Sequence, residues 1–161
     1  MFGVVYAVSQ LTILLLVAPL GRELGELQVS GFTAATYVDV FRRWEAAGVM
    51  DAYRSHFLLD DVHWVWYASL LTVLLCTLFE RHRISHRFDW VLVVPLAAGL
   101  CDAYENHLQH VFLASADHVA VVDPLPLLST IASITKWTLA AGCVLLSLAL
   151  GLRGRTRAQR E

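Results

Sequence analysis

Residues 57–79 read F-L-L-D-D-V-H-W-V-W-Y-A-S-L-L-T-V-L-L-C-T-L-F, and this stretch decides the fold. It is apolar apart from Asp60, Asp61, His63 and a few hydroxyls. At about 1.5 Å per residue it is long enough, as a helix, to cross a hydrocarbon core of roughly 30 Å. The charged segment from Arg81 to Asp89 ends it. The chain around it has the same character: 57% of its 161 residues are hydrophobic, with a mean hydropathy of +0.57. A soluble domain of that length cannot hide so much apolar surface, so the bilayer is expected to be its solvent.

Three more runs have the required length. The first goes from Phe2 to Leu20 and lacks the basic start and A-x-A site of a cleaved leader, so it reads as a span. The third begins at Trp90 and runs to about Leu113, with Pro95 one turn in. The fourth occupies about Leu127 to Leu152. The expectation is an all-α, polytopic membrane four-helix bundle forming one domain, with spans at about 2–20, 55–80, 90–113 and 127–152. Between the first two lies a polar connector, Gly21 to Ser30. It is followed by Thr33 to Ala47, where Tyr37, Val38, Val40 and Phe41 stand against Arg42, Arg43 and Glu45, the pattern of an amphipathic helix on the membrane surface.

Basic residues set the orientation. Arg81, Arg83 and Arg87 lie between spans two and three, and Arg153, Arg155, Arg157 and Arg160 follow span four, whereas 114–126 has no Lys or Arg. Both termini are therefore expected in the cytoplasm of a multi-pass inner (cell) membrane protein. Arg42, Arg43 and Arg54 are the exceptions, placed beside Glu45 and Asp51, which neutralise them locally. A net charge of -2 excludes nucleic acid as an expected partner. Cys76, Cys101 and Cys143 form no C-x-x-C pair and read as packing residues.

The informative residues are those that lipid does not tolerate. At about 100° per residue, Tyr53, His56, Asp60, His63, Trp64 and Tyr67 share a stripe of span two. Ala98, Gly99, Asp102, Glu105, Asn106 and Gln109 share one of span three. Lys136 shares one of span four with the small residues Ser129, Ala132, Ser133, Ala140, Cys143 and Ser147. Counting inward places Asp60 and His63 near the outer boundary and Asp102 and Lys136 closer to the midplane, all in one half of the bilayer. An uncompensated Asp or Lys at a helix centre costs about 2.5 to 3.5 kcal/mol on insertion scales, so Lys136 is expected to pair with Asp102 or Glu105. Three carboxyls against one lysine leave a surplus that a proton, a His63 cation or a metal ion must balance.

The chain also resembles a group of small, mostly uncharacterised bacterial four-helix integral membrane proteins. The shared motifs are Gly31-Phe32-Thr33, Leu58-Leu59-Asp60 with Tyr67 seven residues on, the D-x-x-E-N motif Asp102-Ala103-Tyr104-Glu105-Asn106, and Lys136-Trp137. The resemblance covers nearly the whole chain and implies the bundle and the cluster, without an activity. Those proteins tend to have apolar residues and a Pro after the first Asp. This chain has Asp61-Val62-His63-Trp64, so a role for Asp61 or His63 is particular to it.

The candidate catalytic residues are thus Asp60, Asp102, Glu105 and Lys136, and the candidate binding residues His63, Trp64, Tyr67 and Asn106. Three readings stay open. In the first, a carboxyl crowded by like charge gives up a proton as a general acid while its neighbour stays ionised, and the substrate is a lipid or isoprenoid entering from the bilayer. The second is a binding or transport module, since proton relays use the same residues at this depth. The third is a scaffold whose network only fixes helix packing. Membrane lipids and a hydrophobic small molecule are the expected partners. No cofactor is expected. A metal is not expected either; if one binds, Asp60, His63, Asp102 and Glu105 are its ligands, in competition with Lys136. His107, His110 and His118 are expected in solvent at or beyond the outer interface.

Overall fold

The structure is a computed structural model that describes residues 2–158, with the side chains of all of these except 2, 116 and 154–158. The described residues form six α-helices and no strand. They are α1 (Phe2–Val17), α2 (Glu23–Ser30), α3 (Ala34–Ala46), α4 (Met50–His82), α5 (Val94–Ala114) and α6 (Leu125–Ala158), with 3-10 turns at Ala18–Leu20, His86–Val93 and Ala116–His118. Three helical segments are long and apolar enough to cross a membrane: Gly3–Leu20, Met50–His82 and Leu125–Arg153. α5 is not among them, because Asp102, Glu105, Asn106, His107, Gln109 and His110 dilute its apolar sequence. Of the tail arginines in the orientation argument, Arg155 and Arg157 have no described side chain and Arg160 lies outside the described residues.

α5 packs chiefly between α6 and α4, and α1 packs along α4. The outward faces carry large apolar side chains in numbers that water does not tolerate, among them Val8, Leu15, Leu58, Val73, Leu100, Ile131, Leu145 and Leu148. Inside, two apolar clusters sit at opposite ends. One gathers Tyr37, Phe41, Trp44, Tyr53, Phe57 and Phe112. The other gathers Leu71, Leu75, Leu78, Phe79, Cys143 and Leu150. The polar residues occupy the level between them.

The helices differ from the sequence reading in their bounds: α4 starts earlier, at Met50, and α6 runs on to Ala158. α5 begins at Val94, because Pro95 occupies the first turn of the helix, where its missing N–H costs nothing, and residues 86–93 are wound as a 3-10 turn. The connector 21–30 contains a helix of its own, α2, whose eight residues are too few to show a period. α3 is present, capped by the Thr33 hydroxyl, which accepts from the Thr36 N–H at 3.3 Å. A second free N–H at that end, of Ala34, donates to Asp123 Oδ1 at 2.9 Å. The apolar face of α3 lies against protein: Tyr37, Val40, Phe41 and Trp44 are all buried. It closes the end of the bundle and presents little apolar surface to lipid.

Small residues set the closest approaches. A Cβ at Gly31 would fall 2.5 Å from the Leu27 carbonyl oxygen and 2.7 Å from the Tyr37 ring, so the α2–α3 corner requires glycine. A Cβ at Gly99 would meet Trp64 Cε3 at 2.8 Å, where α4 and α5 touch. Gly99→Ala is expected to destabilise the fold by about 1–3 kcal/mol through overpacking. Thermal unfolding in detergent reads this directly, and an unchanged midpoint would mean that the indole moves aside without cost.

Candidate functional site: a lysine between two carboxylates

Asp102 and Glu105 stand three residues apart on α5, so their side chains leave the same helix face one turn apart. Lys136 of α6 reaches both. Its Nζ donates to Asp102 Oδ1 at 2.6 Å and lies 2.7 Å from Glu105 Oε2, an ion pair by distance whose angle is not that of a hydrogen bond. All three are buried, Asp102 and Glu105 at 3% exposure and Lys136 at 8%. The other Glu105 oxygen, Oε1, accepts from Gln28 Nε2 at 3.2 Å. The Tyr67 hydroxyl lies beside Asp102.

A second, neutral network continues toward α3. Gln109 Oε1 accepts from the Tyr53 hydroxyl at 2.8 Å, and Gln109 Nε2 donates to Ser129 Oγ at 2.8 Å and to the Tyr37 hydroxyl at 3.0 Å. The Tyr37 hydroxyl in turn donates to Ser129 Oγ at 3.3 Å. Gln109 thereby uses three of its four hydrogen-bonding positions on α3, α4 and α6. Burial pushes the Tyr37 phenol above its ordinary pKa, against the hydrogen bonds to Ser129 and Gln109, so it stays neutral.

The pairs Asp102–Lys136 and Gln109–Ser129 are in one antiparallel register, which sets Glu105 opposite Ser133. At that level two buried polar atoms, Asn106 Nδ2 and Ser133 Oγ, make no hydrogen bond. Every member of the α5 stripe is buried or nearly so, as are Ser129, Ala132, Ser133, Lys136, Cys143 and Ser147 on α6.

The other candidates are placed differently. Asp60 is half-buried and lies 4.0 Å from His56 Nε2. His63 turns toward α1: Ser9 Oγ lies 2.8 Å from its Nδ1, Gln10 Oε1 lies 3.0 Å from its Nε2, and Tyr6 stacks on its ring. The conditional metal set Asp60, His63, Asp102 and Glu105 is therefore not assembled. Among the described residues no three His, Cys, Asp or Glu side chains converge as ligands. Trp64 packs on Gly99.

Outside the bundle, Asp61 holds His110 at 2.9 Å. Arg43 pairs with Asp39 and with Glu23 at 3.1 Å, and Arg54 with Asp51 at 3.8 Å. His118 does not stand in solvent: it is buried against the Phe41 ring and lies 3.1 Å from Glu45. The positive φ angles of Asp117 and His118 turn the loop under α3 and bring the ring inside. Gln28, Ser9 and Gln10 escape sequence reasoning. Ser9-Gln10 is a polar pair in the middle of an apolar run, a signal that was there to be read; Gln28 joins Glu105 across 77 residues, which no local pattern encodes.

Comparison with known protein families, with curated proteins and with solved structures finds no match. The chain is a helical protein with three membrane-length apolar helices, and its chemistry has to be argued from these residues.

Removing the lysine tests the site's electrostatics. Lys136→Met leaves two buried carboxylates without their cation and is expected to cost about 3–5 kcal/mol of stability. Adding Asp102→Asn and Glu105→Gln to the same chain is expected to recover most of that loss in detergent unfolding. If the triple variant is no more stable than the single one, the pairing energy lies elsewhere.

Proposed function

We propose that this chain is a four-span inner-membrane protein, with α5 as the third crossing in chain order and both termini cytoplasmic, and that the centre of Asp102, Glu105 and Lys136 performs acid–base chemistry on a lipid or isoprenoid. The observation that carries this reading is the double contact of Lys136, at 2.6 Å and 2.7 Å, with two carboxyls on adjacent turns. One lysine neutralises one carboxylate. The second carboxyl, buried beside the first, then keeps a proton, and a proton donor stands beside an ionised acceptor. Asp102 and Glu105 are the acid–base pair, Lys136 fixes which of them is ionised, and Asp60 supplies the further negative charge. Tyr67 stands beside Asp102, Asn106 follows Glu105 on α5 and Trp64 packs on Gly99, and these three are the proposed binding residues, while His63 supports α4 through α1. The unpaired Asn106 amide and Ser133 hydroxyl offer hydrogen bonds to an oxygen of the substrate.

Membership of the small bacterial four-helix membrane proteins is part of this proposal, supported by the motifs that supply Asp60, Asp102, Glu105, Asn106 and Lys136. A second reading is favoured by a specific observation. Both carboxylates are almost wholly buried, so the network also has the form of a lock that fixes helix register.

Lipid profiling separates the two. The protein is incubated with a total membrane lipid extract and the products are resolved by mass spectrometry. Under the acid–base reading a lipid species is converted, and Asp102→Asn and Glu105→Gln each abolish conversion, an expected loss of at least about 100-fold, while the unfolding temperature stays measurable. Variants that are less stable yet equally active, or a wild type that converts nothing, support the lock.

A further inference from the structure

At the end of the bundle remote from α3, α4 closes in a Schellman arrangement. The Ile84 N–H donates to the Phe79 carbonyl at 2.9 Å and the Arg83 N–H to the Glu80 carbonyl at 3.1 Å, with Arg83 itself in the left-handed region at φ 50. The reversal folds the 3-10 turn His86–Val93 back along α4 and leaves a cavity of about 430 Å³ between them. Its walls are of two kinds. Toward the bundle stand Phe79, Ile84 and Leu92, the last two packed on the apolar cluster of α4 and α6. Toward the rim stand groups of both signs: Glu80 and Asp89, with Arg83 and His86.

The surroundings place this rim at the level of lipid headgroups. Trp90 is 66% exposed and Phe88 39%, with the Arg87 guanidinium 4.7 Å over the Phe88 ring. Exposed aromatics beside arginines at the end of an apolar helix mark the membrane–water interface. A ligand here meets apolar wall on one side and paired opposite charges on the other. An anionic headgroup matches Arg83 and is repelled by two carboxylates. A trimethylammonium group has no N–H to donate to Glu80 or Asp89. A headgroup with a primary ammonium and a phosphate matches both signs.

We propose that this cavity binds the headgroup of phosphatidylethanolamine, with its ammonium on Glu80 and Asp89, its phosphate on Arg83, and its first acyl carbons along Phe79, Ile84 and Leu92. Asp89, 3.1 Å from His86 Nδ1, is oriented by that contact. The site is separate from the lysine centre and does not depend on what that centre does.

The test uses the full chain in nanodiscs made from equal parts of phosphatidylethanolamine, phosphatidylcholine and phosphatidylglycerol with identical acyl chains. Native mass spectrometry then counts the lipids that stay bound after release. Phosphatidylethanolamine is expected to be retained over each of the others by roughly fivefold, the size of one interfacial charge contact. Glu80→Gln is expected to bring phosphatidylglycerol to parity with it, and Arg83→Gln to lower retention of both. Asp89→Asn reports on the same ammonium contact if Glu80→Gln fails to fold. Equal retention of the three lipids by the wild type, a preference for phosphatidylglycerol, or a preference that survives these substitutions overturns the proposal.

Discussion

The arrangement of α5 against α6 depends on where Lys136 can put its ammonium group. Taking a lysine and two carboxylates out of water costs several kcal/mol per ion, and only close, well-aligned contacts repay it. Asp102 and Glu105 can share one Nζ because they lie on the same face one turn apart. Rotating α5 by one residue, about 100°, would strand both acids in an apolar surround. The ion pair therefore disfavours slipped packings more strongly than it favours the native one. Once it is made, Gln109 falls opposite Ser129, and the Tyr37 hydroxyl finds both. The docking of α3 is in this sense downstream of a charge contact two turns away.

The layering follows from the same constraint. Polar side chains are gathered at one level, with aromatic packing above them and aliphatic packing below. Each apolar cluster excludes water from the polar level, which strengthens the contacts of Lys136 and raises the cost of any polar atom without a partner. α2 and α3 complete the enclosure at the end remote from the turn His86–Val93. α2 contributes Leu27 and Leu24 to the aromatic cluster, Gln28 to Glu105, and Glu23 to Arg43 and Trp44 of α3, so a short helix of weak propensity is held by its contacts at both ends.

What the sequence discloses and what it hides divides along the same lines. Periodicity assigns the buried faces of α4, α5 and α6, because a wrong residue on a lipid-exposed or core face is costly and the stripe of Ala98, Gly99, Asp102, Glu105, Asn106 and Gln109 is unbroken. The partners of Lys136 follow from depth and charge alone. Features set by single contacts between distant segments are not legible. Glu23 to Ser30 has too few residues to display a period. Pro95 shows that a helix starts near it but not whether the preceding turn is α or 3-10. His118 lies in a polar loop and is buried only because two residues adopt positive φ. His63 shares the stripe of Asp60 in a helical projection, yet its ring turns toward Ser9 and Gln10, since a residue at the edge of a stripe is claimed by whichever neighbour offers hydrogen bonds.

The number of acids separates a lock from a reactive centre. A register lock needs one cation and one anion, and hydrophobic residues of the same shape often serve as well or better. This core places two carboxyls on one lysine and a third, Asp60, on the adjoining helix within 4.0 Å of a histidine nitrogen. The additional carboxyl brings the cost of another polar group in the interior. Asp102 and Glu105 therefore compete for one ammonium. Shape alone does not call for that competition, and this is the ground on which acid–base chemistry is proposed for the centre.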